Sequence, residues 1–205
     1  MPGRPRRRSG PWQAAAAPNP AGAHFLADRA LIAQLVRASG VGSGDLVLDL
    51  GAGYGALTGP LARTGARVVA IELDPGLAGR LRRRFGDEPG VSVVEADLRK
   101  VPLPRRPFQV VASPPFALTT LLCRRLLGDP AVRLAGAELI LEWGAAKWLA
   151  DPVPRDAQTA RWAARYDITL IRRVPAASFS PPPRSDAAYL TIRPAVSRPA
   201  RRLAR

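Results

Sequence analysis

The feature that most constrains this chain is a short apolar stretch, Leu46–Leu50, running directly into Gly51-Ala52-Gly53-Tyr54-Gly55 and then into a helix-forming segment, Ala56–Thr64. Three glycines in five residues allow backbone conformations that side chains resist, and they leave bare main chain where a ligand could approach closely. A strand, a glycine turn and a helix in that order open a βαβ unit, and the alternation continues down the chain. Arg67–Glu72, Val91–Glu95, Phe108–Ala112 and Glu138–Leu141 read as further strands, and Tyr166–Val174 and Ala187–Arg193 complete seven, the last two joined by the Pro-rich loop Pro175–Asp186. Helical periodicity is expected over Phe25–Val36, Pro75–Phe85, Ala117–Leu127, Trp143–Ala150 and Ala157–Ala164. The expected architecture is therefore α/β and Rossmann-like, with a seven-stranded, mostly parallel sheet carrying helices on both faces.

Composition removes several classes of chemistry. One Cys and one His among 205 residues exclude a Cys/His zinc site, a disulfide framework and a Cys/His nucleophilic pair, and no metal site is expected. No apolar run approaches the ~18 residues of a membrane span, so a cytoplasmic protein with no membrane partner is expected. The net charge is +15, and 29 of the 31 basic residues are Arg, whose planar fork suits phosphate. Residues 1–12 and 193–205 together carry +9 with no acid, which suggests a polyanionic partner or simply solvated, compositionally biased tails. We expect tails at 1–18 and 194–205 flanking one folded domain at 19–193.

The glycine turn alone is ambiguous. Gly51, Gly53 and Ala56 also satisfy the dinucleotide fingerprint, and a tight turn without a ligand stays open. Glu72 closes the second strand, 21 residues beyond Gly51, where a carboxylate can accept hydrogen bonds from a ribose diol. Asp97, after the third strand, is placed for an adenine amino group or for a helix cap. Ser113-Pro114-Pro115-Phe116, after the fourth strand, separates these options. The pattern (Asp/Asn/Ser)-Pro-Pro-(Tyr/Phe/Trp) in this place belongs to enzymes that methylate exocyclic amino groups of nucleobases. An amino nitrogen conjugated to its ring is a poor nucleophile until its lone pair is localised. The Ser113 hydroxyl and the Pro114 carbonyl can accept its two N–H bonds, the prolines stiffen the loop, and Phe116 can stack on a flipped-out base.

With those residues in place, the sequence from about Asn19 to Pro194 resembles the Erm family of ribosomal RNA adenine N6-methyltransferases, which confer macrolide, lincosamide and streptogramin resistance and are related to the small-subunit RNA dimethylases. Ala23-His24-Phe25-Leu26 is similar to the family's segment at the methionine end of S-adenosylmethionine, and Asp49–Gly55 to its cofactor loop. Glu72-Leu73-Asp74 is similar to the ribose acid and Glu95-Ala96-Asp97 to the adenine-binding acid. Phe179-Ser180-Pro181-Pro182-Pro183-Arg184-Ser185-Asp186 is similar to the Phe-x-Pro-x-Pro loop beside the active site.

The resemblance implies a class I S-adenosylmethionine-dependent fold. His24, Leu26, Gly51, Gly53, Gly55, Glu72, Leu73, Asp97, Leu98 and Ser113 would lie at the cofactor, and Ser113, Pro114, Phe116 and Phe179 at the target base. It implies N6-methylation of an adenine in 23S ribosomal RNA by a monomer, by direct in-line transfer. Ala23 and Ser113 depart from the family's Gln and Asn, and the small helical domain of typical members is expected to be largely missing. Two alternatives remain: an amino methyltransferase for another RNA or DNA, and a catalytically weakened RNA-binding protein. Trp143, Trp148 and Trp162 are expected in the core or an interface, and Arg124, Arg125, Arg172 and Arg173 on an RNA-binding face.

Overall fold

A computed structural model describes residues 24–195. The basic segments expected as tails lie almost wholly outside that range. Among the described residues a seven-stranded sheet forms the centre, built from β2 (Leu46–Leu50), β3 (Arg67–Glu72), β4 (Val91–Glu95), β5 (Phe108–Ala112), β6 (Leu134–Glu142), β7 (Tyr166–Val174) and β9 (Ala187–Pro194). The strand order is β4-β3-β2-β5-β6-β9-β7. The first five are parallel, while β9 enters between β6 and β7 and is antiparallel to both. The chain runs outward from β2 through β3 to β4, then returns to the other side of β2 as β5. A crevice therefore opens at the C-terminal ends of β2 and β5, where open α/β sheets bind ligands.

Buried strands alternate their apolar residues between two cores. Leu46, Leu48 and Leu50 of β2 join Phe108, Val110 and Ala112 of β5 on the face covered by α4 (Thr119–Leu127), α5 (Trp143–Leu149) and α6 (Ala157–Ala163). Val47 and Val111 face the other way, toward α1 (Arg29–Ser39) and α2 (Thr58–Ala62). Near the far edge, α3 (Pro75–Phe85) places Leu81 and Phe85 against Ala52 and Ala70. The expected tryptophan burial holds for Trp162, which is 2% exposed, and Trp148 meets it edge-on at 6.3 Å.

The helix expected from Phe25 begins later. Phe25–Leu26 is instead a two-residue strand, β1, antiparallel to β8 (Phe179–Ser180) in the loop expected to be irregular. The reason is local: Asp28 is a better N-cap than anything upstream, and its carboxylate accepts from the Ala30 and Leu31 N–H groups at 3.0 Å each. The helix then runs to Ser39 and ends at Gly40, whose φ of 63° suits glycine. The helix after the glycine turn, expected over Ala56–Thr64, is cut to Thr58–Ala62, and β6 begins at Leu134 rather than Glu138.

Candidate active site

The glycine turn and the proline corner meet in the crevice between β2 and β5. Gly51 has φ 78°, and a methyl group placed on it would sit 3.1 Å from Pro115 Cδ and 3.4 Å from Pro114 Cα. The two loops thus pack main chain against main chain, and a side chain at position 51 would force them apart. At Gly53 the added carbon would lie 2.8 Å from the ring of Phe25, which brings β1 onto the same turn.

Hydrogen bonds hold the turn open toward β3. The N–H groups of Gly51 and Ala52 both donate to Ile71 O, at 2.9 and 3.0 Å. Glu72 is 9% exposed; its Oε2 accepts from Gly53 N at 2.8 Å, and its Oε1 from Leu73 N and Asp74 N at 2.8 and 2.9 Å. One acceptor position of Oε2 remains for a ligand hydroxyl. Beneath the turn, Asp49 accepts from Thr58 Oγ1 at 2.7 Å and is 1% exposed. Burial outweighs that hydrogen bond and, with the charge of Glu72, pushes its carboxyl up to about 7. The Asp49–Thr58 pair has a nine-residue spacing that no local pattern announces.

In the corner, Ser113 Oγ is buried and has no hydrogen-bond partner among the described residues. An unpaired buried hydroxyl costs about 1–3 kcal/mol, so such groups mark places where a ligand supplies the missing partner. Pro114 is buried, and Pro115 opens a single 3₁₀ turn, Phe116–Leu118, that leads into α4. The Thr119 hydroxyl at the start of α4 is likewise buried and unpartnered among the described residues.

Phe116 is half-buried, with Phe179 edge-on at a ring-centre distance of 5.9 Å and His24 tilted at 6.4 Å. His24 Nδ1 donates to Pro181 O at 2.9 Å, which joins the segment before β1 to the Pro-rich loop. Phe179 is 4% exposed, so it props Phe116 and presents no open face of its own. Leu26 is packed in the core with Leu31 and Leu35.

The remaining expected residues flank the crevice. Leu73 is 56% exposed, and Leu98 is buried with a methyl carbon 3.9 Å from the added carbon at Gly51. Asp97 is held by Arg99, a residue that no motif singles out. Of the four arginines expected on an RNA-binding face, three make contacts within the protein. Arg124 is exposed, Arg125 turns inward to the carbonyls of Leu98 and Val101, Arg172 reaches Gln34, and Arg173 pairs with Asp186 at 2.6 Å. Cys123 is buried and its thiol is pushed up to about 12 by that burial. Among the described residues no three His, Cys, Asp or Glu side chains gather in a metal-binding group, and no helix is long and apolar enough to cross a membrane.

This strand order, with the glycine turn and the proline corner at its switch point, defines an α/β fold of the class I methyltransferase type. Residues 19–203 match the model of the family described as ribosomal RNA adenine dimethylase, and the chain belongs to that family. It is 33% identical over 175 residues to an rRNA adenine N-6-methyltransferase of Bacillus licheniformis, covering 85% of this chain and 61% of that protein. It is 37% identical over 171 residues to the mycinamicin-resistance protein MyrB of Micromonospora griseorubida, covering 83% of this chain and 54% of MyrB. Among solved structures, the 23S rRNA methyltransferase ErmE superposes with a TM-score of 0.76 at 27% identity, covering 84% of this chain and 70% of ErmE. The chain thus spans about three-fifths of the length of the Bacillus relative.

Proposed function

We propose that this protein binds S-adenosylmethionine and methylates N6 of an adenine in 23S ribosomal RNA, giving macrolide-type resistance. The observation that carries the reading is the orphaned Ser113 hydroxyl, buried in a rigid proline corner that touches the glycine turn. The residues fit the cofactor: a cradle that one methyl group at Gly51 would fill, a buried Glu72 with one acceptor position left, and Asp97 on the adenine side. When bound, S-adenosylmethionine supplies an electrophilic methyl group on a sulfonium.

The protein's part is then positioning. Ser113 Oγ and Pro114 O accept the two N–H bonds of the adenine amino group and direct its lone pair across the crevice. Phe116, propped by Phe179, offers a ring for an extruded base. No residue need form a covalent bond, which agrees with the thiol of Cys123 being buried and held protonated. We place the protein in the cytoplasm, acting as a monomer on ribosomal RNA that its excess of arginine would attract.

The test is methyl transfer from labelled cofactor to protein-free 23S RNA, to small-subunit RNA and to DNA, with the modified adenine mapped by primer extension and resistance scored in a sensitive bacterium. Transfer to one 23S adenine is expected, lost in Gly51→Asp, reduced at least about 100-fold in Ser113→Ala, and kept or raised in Ser113→Asn. Label on DNA or small-subunit RNA alone would move the substrate; cofactor binding with no transfer to any of the three would overturn the enzymatic reading.

A further inference from the structure

The carboxylate expected to receive the adenine amino group is already occupied by the protein itself. Asp97 Oδ1 accepts from the Arg99 backbone N–H at 2.8 Å and from Arg99 Nε at 3.0 Å. Its Oδ2 accepts from Nε at 2.8 Å and from the terminal guanidinium nitrogen Nη2 at 2.7 Å. The single Nε hydrogen is shared between the two oxygens, so three N–H groups cover both oxygens and leave about one of the carboxylate's four acceptor positions. The Arg99 contacts also lower the Asp97 carboxyl to about 2.

The two partners differ in freedom. The turn bearing Asp97 is braced from below, because Lys100 N and Val101 N both donate to Asp97 O at 2.9 Å. The Arg125 guanidinium rises from α4 to the carbonyls of Leu98 and Val101, and Leu98 itself is 4% exposed. The Arg99 side chain is 58% exposed and the Asp97 side chain 17%. Any opening of this pair is therefore a movement of Arg99, with Asp97 staying in place.

We infer that Arg99 is a specificity residue: it clasps Asp97 in the free protein, competes with the adenine amino group for that carboxylate, and releases at least one oxygen when the base docks. The inference rests on the S-adenosylmethionine reading above. A 6-amino purine must compete with the guanidinium for the same two oxygens, whereas a 6-oxo purine, an acceptor at that position, can be met by Arg99 directly. Arg99 therefore weakens binding of the amino base and narrows the discrimination between the two. Salt, which screens exposed ion pairs, loosens the clasp and favours docking.

Calorimetric titration of the full chain with S-adenosylhomocysteine and with its inosyl analogue, at low and high salt, tests this, with circular dichroism confirming the fold of each variant. In Arg99→Ala the adenosyl ligand should bind about two- to fivefold more tightly, within the range exposed ion pairs reach. The inosyl-to-adenosyl ratio of Kd should rise, and the gain of wild-type affinity on adding salt should vanish. Asp97→Asn should weaken adenosyl binding. Equal or weaker binding by Arg99→Ala would overturn the clasp and make Arg99 a support for Asp97. Unchanged binding by Asp97→Asn in a protein that binds the adenosyl ligand would place the adenine elsewhere and overturn this inference alone. No wild-type binding of either ligand would overturn the cofactor reading and this inference with it.

Discussion

Asp49 shows what the fold imposes on a single residue. Its carboxyl is raised from 3.8 to about 7 because burial disfavours the charged form more than Thr58 supports it. Between those values the folded state keeps a proton that the unfolded chain has lost, so this group makes stability fall as pH rises from about 4 to about 7. Below the lower value both states are protonated and the effect is absent; above the upper one it is complete, on the order of 4 kcal/mol. Asp49→Asn keeps the acceptor for Thr58 and removes the ionisation. Denaturant midpoints of the two proteins should agree near pH 4 and diverge toward pH 7, with the variant the more stable. The positions of Glu72, Asp97 and the Ser113 corner along the crevice were legible from the sequence because each lies at or just beyond the C-terminal end of a strand. Asp49 was visible only as part of a motif, since its behaviour comes from the depth of β2 in the sheet and not from its neighbours in sequence.

Single elements are tied together by polar contacts that no local pattern announces. Glu138 on β6 is 0% exposed and meets the hydroxyl of Tyr189 on β9 and the guanidinium of Arg193 near the end of that strand. Arg193 also donates to Ala38 O at 3.1 Å, so it links α1 to the sheet. Removing one partner of a buried pair leaves the other charge unmatched. Arg193→Ala should cost on the order of 2 kcal/mol in urea unfolding, a figure reduced because its side chain is 40% exposed. The double variant with Glu138→Gln should cost less than the sum of the two single changes, which a double-mutant cycle measures. Most strands and helices could be placed from apolar periodicity with glycine and proline signals, though several ends moved. The β1–β8 pair could not, because two residues on each side are too short to show a period and their partners are 153 or 155 positions away.

For the whole molecule, charge sets how it would meet RNA under the proposed function. The chain carries +15, of which +9 lies in residues 1–12 and 193–205. Deleting 1–18 and 196–205 should flatten the salt dependence of RNA affinity, by about 0.7 in the log–log slope for each phosphate that the deleted arginines neutralise, and leave S-adenosylhomocysteine affinity unchanged. An unaltered slope would assign the RNA-binding surface to residues 19–195. The parallel half of the sheet was foreseeable, since a helix separates β2 from β3, β3 from β4 and β5 from β6. The central position of β9 was not, because it depends on which edge the returning strand finds. That position also orders the molecule's assembly in time: as synthesis proceeds from the N-terminus, β6 waits with one open side and β7 without a strand beside it, since among the described residues β9 is the strand that pairs with both there. This strand is the keystone, and a nascent chain paused before Ala187 would present two sticky borders at once, the situation in which chaperones are most needed.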